Sequence, residues 1–372
     1  MKISRIISKT LKDKLFSGKV IILIGPRQTG KTTLIQSIIS EHNHLFLDGD
    51  DQSIRQTLEN ANTATLKQIV GNHKMVFIDE AQRINNIGLT AKIIHDQIKS
   101  TQLILSGSSA LDLNNAINEP LTGRKWEYNL FPISWEEFQN HNSYIAANQQ
   151  LNIRLIYGMY PDVISNLGNE KEILKNLTNS YLYKDILSLT NIKKPEIMER
   201  LLQALAYQMG SEVSYNELAQ LLHVNKETIS NYIQLLEKVH VVFRLNPLSR
   251  NLRNEIKKNR KIYFYDNGIR NAVISAYNDI DLRNDKGALW KNFLISERIK
   301  YLHYHKIYGN YYFWRTKQQQ EVDWVEERNL AIDGYEFKWT NKKKIRFPKS
   351  FVEMYDAKTH VIDRDNFTDF VM

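Results

Sequence analysis

Residues 20–33 read VIILIGPRQTGKTT, and this stretch decides the fold of the N-terminal part of the chain. Five consecutive apolar residues, Val20–Ile24, indicate a strand that is buried on both faces of a parallel sheet. The next eight residues, Gly25–Thr32, match the pattern G-x-x-x-x-G-K-[ST] in full, and a helical pattern follows over Thr32–Ser40. Because glycines let backbone N–H groups point inward and the helix start adds a positive dipole end, this order predicts a phosphate-binding loop.

Two side chains of this loop are expected to carry chemistry of their own. Lys31 is predicted to reach the β- and γ-phosphates of a nucleoside triphosphate, and the Thr32 hydroxyl is predicted to ligate Mg²⁺. Arg27 sits inside the loop and is interpreted as a residue that shapes it. The candidate nucleotide-binding residues are Gly25, Pro26, Arg27, Gln28, Thr29, Gly30, Lys31, Thr32 and Thr33.

A second apolar run, Met75–Ile78, ends in two acidic residues. Asp79 is expected to hold the magnesium ion with its water shell, and Glu80 to polarise an attacking water molecule. A surface turn would also tolerate this acidic pair, but the buried strand before it favours the catalytic interpretation. The pattern therefore predicts hydrolysis as well as binding.

A further apolar run, Leu103–Leu105, is followed by hydroxyl side chains at the same predicted sheet edge. Ser106 and Ser108 are candidate sensors of the γ-phosphate, and a plain strand-end turn through Ser109 is the alternative. Arg124 follows about fifteen residues later. It is either a charge-stabilising arginine, supplied within the chain or to a neighbouring subunit, or an ordinary surface arginine.

The region up to residue 130 alternates between strand and helix patterns. A further strand is predicted at His44–Leu47, and helices are predicted over Asp51–Val70 and Leu89–Ser100. Short apolar strands that alternate with helices predict a three-layer α/β fold with a parallel sheet, whose ligands bind at the carboxyl ends of the strands.

Composition sets limits on the rest of the protein. The 372 residues are 42% hydrophobic and 24% charged, which is typical of a folded protein of two to three domains. The chain has no cysteine, which excludes disulfides, thiolate zinc sites and thiol nucleophiles and favours a reducing cytoplasm. Neither a signal peptide nor an apolar run of roughly 20 residues is evident, so we expect a soluble protein without a membrane-spanning segment.

The positive charge of the chain is concentrated in its C-terminal half. Lys and Arg number 50 and Asp and Glu 41, a net charge of +9, yet residues 241–350 alone carry 23 basic and 12 acidic residues. Residues 1–140 carry 16 basic and 14 acidic residues. An anionic partner is therefore expected at the C-terminal half, with nucleic acid first, an anionic membrane surface second and simple solubility as the alternative.

Four segments are predicted along the chain. Residues 1–140 form the nucleotide-binding core, 141–210 a helical connector or lid, 211–285 a winged helix-turn-helix, and 286–372 a second, smaller α/β domain. The third segment rests on helix patterns at Asn216–His223 and Lys226–Val239, joined by a tight turn and followed by a strand at Val241–Leu245.

The second of these two helices is the candidate recognition helix, because its N-terminal turns carry polar side chains that could meet base edges. Winged helices also serve as protein-interaction modules, so DNA contact and a structural role both remain open. The candidate DNA-binding residues are Lys226, Thr228, Ser230 and Asn231. The basic residues that follow are either phosphate contacts or a solvated loop: Lys257, Lys258, Arg260 and Lys261.

Several motifs, taken together and in order, resemble the prokaryotic AAA-type P-loop ATPases that carry a C-terminal DUF4143 domain. These motifs are Gly25–Thr33, Ile78–Gln82, Ser106–Ser109, Leu121–Arg124 and Gly158–Pro161. The resemblance covers nearly the whole chain and implies an ATPase core with ATP and Mg²⁺ as cofactors. It implies architecture more strongly than it implies a biological role.

The last segment resembles the PD-(D/E)xK nuclease core, a restriction-endonuclease-like α/β fold. The nuclease-like residues are Glu297, Asp323, Glu336 and Lys338. Carboxylates at adjacent strand ends can bind magnesium, and a lysine two residues after the second lies on the same strand face. One position departs from the family pattern, because Lys291 stands where an acidic residue is usual. A lysine there would repel a metal ion.

These observations predict a magnesium-dependent ATPase whose nucleotide state controls a C-terminal, DNA-binding, nuclease-like module. One alternative is a signalling NTPase that acts on a protein partner without DNA. Another is an ATP-regulated, metal-dependent DNA endonuclease. A ring, a dimer and a monomer all remain open, and a homo-oligomer would allow Arg124 to act between subunits.

Overall fold

The computed structural model describes residues 3–108, 117, 120–179, 194–249, 260–340 and 345–372. The chain divides into two compact units. The first contains the chain up to Pro132 together with Lys238–His240, and the second contains Ile133–Glu237 and Val241–Met372. The sequence features noted at Ser109, Lys257 and Lys258 lie outside the described residues.

The first unit is built on a parallel five-stranded sheet. Its strands are β1 (Val20–Ile24), β2 (His44–Asp48), β3 (Met75–Asp79), β4 (Gln102–Gly107) and β5 (Lys125–Asn129). They lie in the order β2-β3-β4-β1-β5, and every residue of β1, β3 and β4 is buried. The register pairs Asp48 with Asp79 and Ile24 with Gly107, so the carboxyl ends of the strands meet at one edge.

Helices pack on this sheet and complete the α/β architecture. They are α1 (Ile7–Lys14), α2 (Lys31–Ile39), α3 (Gln52–Glu59), α4 (Thr63–Val70) and α5 (Ile87–Gln97). One apolar cluster joins Ile22 and Ile78 of the strands to Leu58, Leu66 and Ile94 of the helices. Burial of these side chains on one face of the sheet is the main favourable term that holds the layer in place.

Two elements of the first unit differ from the sequence prediction. The single helix expected over Asp51–Val70 is two helices, because the Asn62 side chain accepts a hydrogen bond from Thr65 N at 3.0 Å and starts a new helix. Strand β5 was not predicted, since its five residues are only partly buried at the sheet edge and lack an apolar run.

Helices dominate the early part of the second unit, as the sequence predicts for residues 141–210. They are α6 (Trp135–Asn142), α7 (Tyr144–Gln149), α8 (Leu151–Tyr157), α9 (Pro161–Ser165), α10 (Glu170–Leu177) and α11 (Pro195–Tyr207). Further along follow α12 (Tyr215–Leu222), α13 (Lys226–Lys238), α14 (Asn267–Val273), α15 (Lys286–Tyr304), α16 (Lys349–Tyr355) and α17 (Thr368–Val371). Across the described ranges, no helix combines the length and the apolar character needed to cross a bilayer.

A seven-stranded sheet runs through the second unit in the order β12-β11-β10-β9-β7-β8-β6. Its strands are β6 (Glu212–Val213), β7 (Val242–Pro247), β8 (Arg260–Phe264), β9 (Asn310–Arg315), β10 (Glu321–Arg328), β11 (Ala331–Phe337) and β12 (Lys358–Ile362). The strand pattern at Val241–Leu245 predicts β7, and the patterns at Tyr311–Arg315, Glu321–Val325 and Ala331–Lys338 predict β9, β10 and β11. The other three strands were not predicted. The parallel pairing of β7 with β9 joins the segments before and after residue 285 in one sheet.

Candidate functional site

The loop between β1 and α2 has a backbone that only a glycine-containing sequence adopts without strain. Gly30 stands immediately before α2 with φ +90°, in the left-handed region. At Gly25 an added Cβ would lie 2.1 Å from the carbonyl oxygen of Leu130, so no larger residue fits there. The start of α2 therefore lies directly beside the loop, where its free N–H groups and positive dipole end favour an anion.

Lys31 is buried beneath this loop. Its Nζ donates hydrogen bonds to the carbonyl oxygens of Gly25 and Pro26, both at 2.9 Å. Burial lowers the pKa of the Lys31 ammonium group to about 8, while the carboxylates of Glu80 and Asp79 act in the opposite direction. The loop thus holds a desolvated cation at the position where a bound phosphate would stabilise its charge.

Asp79 is the centre of a polar cluster at the carboxyl edge of the sheet. The Thr32 hydroxyl donates to Asp79 Oδ2 at 2.5 Å, and the Ser106 hydroxyl donates to Asp79 Oδ1. The backbone N–H of Glu80 also donates to Oδ1, at 3.1 Å. Three residues that lie far apart in the sequence, Thr32, Asp79 and Ser106, therefore meet here, as their positions at the ends of parallel strands and at the helix start predict.

Glu80 is held by a residue that the sequence analysis did not single out. Gln82 Nε2 donates to Glu80 Oε2 at 2.5 Å and to Ser108 Oγ at 3.0 Å. The backbone of Glu80 is left-handed, with φ 44°, and a short 3₁₀ turn over Ala81–Arg83 follows it. Gln82 thus bridges the candidate water-activating carboxylate and a candidate phosphate sensor. Its sequence signal is its place at the end of the Ile78–Gln82 motif.

The other predicted loop residues have supporting or exposed positions. Thr29 is buried, and its hydroxyl donates to the Pro26 carbonyl at 2.8 Å. Arg5 Nη1 donates to the Thr29 carbonyl at 2.8 Å, a support from the N-terminal segment that the sequence did not predict. Gln28 and Thr33 are exposed, and Arg27 is half-buried.

Thr32 and Asp79 together provide a donor set that fits Mg²⁺. Both present oxygen atoms, which Mg²⁺ prefers, and they already lie in contact at the end of the phosphate loop. Within the described ranges no cluster of three His, Cys, Asp or Glu side chains could hold a metal by itself. A magnesium ion that completes its shell with water and nucleotide phosphates does not need such a cluster.

Arg124 lies at the opposite edge of the sheet from the phosphate loop. Its carbonyl oxygen accepts the N–H of Val20, the first residue of β1, at 2.9 Å. Its Nε donates to Asp96 Oδ1 at 3.0 Å. The five residues of β1 span roughly 16 Å, which separates Arg124 from the loop of its own chain. The prediction that Arg124 serves this loop within the same chain is therefore wrong.

The nuclease-like residues of the second unit meet Lys291 where α15, β10 and β11 come together. Asp323 Oδ1 contacts Lys291 Nζ, and Asp323 Oδ2 accepts the N–H of Phe337 at 3.0 Å. Lys338 Nζ donates to Glu336 Oε2 at 3.1 Å. Burial and the Asp323 charge raise the pKa of Glu336 to about 7. Burial opposes the charge of Lys291, but the carboxylates of Asp323, Glu321 and Glu336 together raise the pKa of that ammonium group above its ordinary value.

Glu297 does not join this group, which corrects the sequence prediction. Its Oε1 accepts a hydrogen bond from Lys300 Nζ at 2.7 Å, and its Oε2 accepts the N–H of Trp135 at 2.6 Å. Lys300 Nζ also donates to the carbonyl oxygen of Ile133 at 3.1 Å. Six helical residues separate Lys291 from Glu297, about 600° of rotation, so the two side chains leave α15 in different directions.

The candidate DNA-contacting residues lie on the first turns of α13. Lys226 and Asn231 are exposed, and Ser230 is half-buried. The backbone N–H and the hydroxyl of Thr228 both donate to Asn225 Oδ1 at 2.7 Å, so Asn225 caps the helix and engages Thr228. The opposite side of the helix is buried, as predicted, at Ile229, Ile233 and Leu236.

Comparison with known families agrees with this arrangement. Residues 17–139 match a family described as an AAA domain, and residues 286–367 match DUF4143, a domain of unknown function. These two matches confirm the resemblance to AAA-type P-loop ATPases with a C-terminal DUF4143 domain. Between the two, residues 148–280 of the chain match another domain of unknown function, DUF8612.

Proteins similar to this chain occur in archaea and bacteria. An uncharacterised protein of Methanocaldococcus jannaschii is 24% identical over 374 residues, which cover 92% of this chain and 80% of that protein. An uncharacterised protein of Mycobacterium tuberculosis is 27% identical over 340 residues, which cover 90% of this chain and 74% of that protein. Among solved structures, the Walker-type ATPase of Pyrococcus abyssi matches with a TM-score of 0.52 and 14% identity, covering 73% of this chain and 96% of that one. A likeness at this identity shows the fold alone.

Proposed function

We propose that this P-loop ATPase binds ATP with Mg²⁺, hydrolyses it, and uses its nucleotide state to control a C-terminal module that contacts DNA. The proposal of ATP hydrolysis rests on one observation. The side chains of Thr32 and Ser106 both donate hydrogen bonds to Asp79 at the end of the phosphate loop. Glu80 lies directly beside this cluster. This constellation combines a phosphate cradle, a magnesium site and a carboxylate for water, which are the parts that phosphoryl transfer to water requires.

Each residue has a defined role in the proposed reaction. Lys31 leaves its carbonyl partners and neutralises charge on the β- and γ-phosphates. Thr32 and Asp79 hold the magnesium ion, which would neutralise charge on the phosphate oxygens when bound. Glu80 orients and polarises the attacking water. Ser106 senses whether a γ-phosphate is bound, because its hydroxyl is hydrogen-bonded to Asp79 beside the phosphate site.

Arg124 is proposed to act on a second copy of the chain. It cannot reach its own phosphate loop, because it lies at the amino edge of the sheet beside Val20. An arginine that projects from that edge can stabilise transition-state charge in a neighbouring subunit of a homo-oligomer. Its present partner, Asp96, is partly exposed, so the ion pair is open to exchange with an incoming phosphate.

Three observations support a DNA-contacting role for the second unit. The order α11–β6–α12–α13–β7–β8, with short β6 paired to β8, agrees with the topology of a winged helix. Lys226 and Asn231 are exposed at the start of α13, where base edges and phosphates would be met. The net positive charge of residues 241–350 adds the electrostatic attraction that sequence-independent binding needs.

Steady-state ATP hydrolysis with and without double-stranded DNA, at two salt concentrations, tests this function. We expect stimulation by DNA that weakens at the higher salt and disappears in Lys31→Ala and Glu80→Gln. Glu80→Gln should still bind ATP, which separates loss of hydrolysis from loss of binding. ATP turnover that is indifferent to DNA, with no DNA binding at low salt, would contradict the DNA part and favour a switch that acts on a protein partner.

A further inference from the structure

The Asp323 carboxylate is enclosed by groups of its own chain. Only 1% of its side chain is exposed, and both of its oxygens are engaged, Oδ1 by Lys291 Nζ and Oδ2 by the N–H of Phe337. Burying a carboxylate so deeply is costly unless a cation or hydrogen-bond donors compensate it. In many metal sites that cation is a divalent ion, whereas here α15 supplies an ammonium group.

The position of Lys291 is fixed by a second ion pair between the same two elements. Arg298, seven residues later on α15, donates from Nε to Glu326 Oε1 at 2.7 Å and from Nη2 to Oε2 at 3.1 Å. Seven helical residues rise about 10.5 Å and three strand residues about 10 Å, so both pairs join α15 to β10 in one register. The register shift of β10 between Val322 and Val325 allows Asp323 and Glu326 to face the same helix.

The second carboxylate of the pocket is also paired with a lysine. The Glu336 side chain is 12% exposed, and its Oε2 lies 3.1 Å from Lys338 Nζ. By contrast, Lys291 is 30% exposed and Lys338 is 41% exposed. The two ammonium groups at least offset the charge of the two carboxylates, and the ammonium groups are the parts that solvent reaches. Mg²⁺ needs several free oxygen ligands in near-octahedral geometry, so these residues do not fit a divalent ion.

We infer that Lys291 is a built-in counter-ion that permanently takes the place of a divalent metal beside Asp323 and Glu336. The pocket therefore binds neither Mg²⁺ nor Mn²⁺ and does not cut phosphodiesters by a metal-dependent route. This inference concerns the DUF4143 domain and stands independently of the proposed ATPase function.

Titration of the full-length protein with Mn²⁺ alone, without nucleotide and followed by electron paramagnetic resonance, tests the inference. In the wild type we expect no Mn²⁺ site that depends on Asp323. Lys291→Glu replaces the ammonium group with a third carboxylate and should gain one Mn²⁺ site, at least tenfold tighter than any wild-type binding. The double variant Lys291→Glu/Asp323→Asn should lose that site, which assigns the gain to this pocket rather than to the phosphate loop.

Lys286→Glu is the matched control, because it makes the same charge change at the start of the same helix without touching Asp323. It should bind Mn²⁺ as the wild type does. Wild-type binding that disappears in Asp323→Asn would overturn the inference, as would a folded Lys291→Glu protein that gains no site. Circular dichroism establishes folding, and if Lys291→Glu does not fold, the wild type and Asp323→Asn decide between the two outcomes.

Discussion

At Lys31, burial and ATP binding both change the pKa of the same ammonium group. The pKa of the free ammonium group is lowered to about 8 by desolvation, whereas an adjacent triphosphate would raise it again. ATP binds to the protein in which Lys31 is protonated. The contribution of Lys31 to ATP affinity should therefore be constant below pH 8, and ATP affinity should fall above pH 8 by up to about tenfold per pH unit. Calorimetric ATP titrations from pH 7 to 9.5 measure this dependence. Near pH 8.5, binding should also take up a proton.

Lys31→Arg serves as the control for this pH dependence. A guanidinium group keeps its charge throughout the range, so the affinity of this variant should not fall between pH 8 and 9.5. The explanation fails if the wild type and Lys31→Arg lose affinity in parallel, because another group would then be titrating.

Gln82 is predicted to position Glu80 during hydrolysis. Gln82→Ala removes the 2.5 Å hydrogen bond to Glu80 and the link to Ser108, but it leaves the phosphate loop intact. A hydrogen bond to a charged group contributes about 1.5–3 kcal/mol, so kcat should fall roughly 10- to 100-fold. KM for ATP should stay within about twofold, and steady-state kinetics measure both values.

The exposed Gln56→Ala in α3 is the matched control and should behave as the wild type. A rise in KM with unchanged kcat in Gln82→Ala would mean that Gln82 supports nucleotide binding and not the position of Glu80.

The sequence predicts site residues well where one contiguous motif specifies them. Lys31 and Thr32 stand in a single motif, and Asp79 directly follows a buried strand, so their meeting follows from sheet topology alone. Lys291 and Asp323 are 32 residues apart and meet only through the packing of α15 on β10. Glu297 was misplaced for the same reason, because a helix position alone does not say which neighbour its side chain will meet.

At the scale of elements, the break between α3 and α4 depends on Asn62. Its side chain accepts the N–H of Thr65 at 3.0 Å and the hydroxyl of Thr65 at 3.2 Å, which satisfies a backbone donor at the helix start. Asn62→Ala should therefore lower the free energy of unfolding by about 1 kcal/mol. Chemical denaturation monitored by circular dichroism measures this loss.

Asn60→Ala is the control for the cap, because Asn60 is exposed and stands two residues earlier in the same connection. Its effect should be within about 0.5 kcal/mol of zero. Equal losses in both variants would show that the connection as a whole, and not the cap, sets the stability.

Continuous apolar runs made strands β1, β3 and β4 predictable from the sequence. All positions of β1, β3 and β4 are buried, which produces the apolar runs that predict them. Edge strand β5 has no fully buried position, and its sequence KWEYN alternates polar residues with aromatic ones, so it shows no apolar run. Asn62 was missed for a different reason, since the apolar pattern on either side of it continues as if one helix ran through.

At the scale of the whole molecule, Arg124 predicts a defined mixing result. Lys31→Ala keeps Arg124, and Arg124→Ala keeps the phosphate loop, so each variant alone should be inactive in ATP hydrolysis. In an equal mixture, about a quarter of the sites combine an intact loop with an intact neighbouring arginine, and activity should return to roughly a quarter of the wild-type value. Steady-state turnover of the mixed proteins at several total concentrations measures this recovery.

Lys125→Ala, next to Arg124 on β5, is the control and should retain most activity. A mixture that stays at the sum of its two components, at concentrations where an oligomer is demonstrated, would contradict a role for Arg124 between subunits.

The pairing of β7 with β9 has a consequence for dissecting this protein in the laboratory. Asn246 and Pro247 lie beside Tyr312 and Phe313, so the strand that borders the DUF4143 match belongs to the preceding segment. A recombinant fragment that starts at residue 286 would lack β7. The backbone N–H and C=O groups of β9 that face β7 would then be unpaired, and exposed strand edges of this kind pair with other chains. Expression trials that follow the family boundary should therefore yield aggregates, whereas a fragment that starts at Ile133 keeps β7 and β9 together and begins where the second compact unit begins.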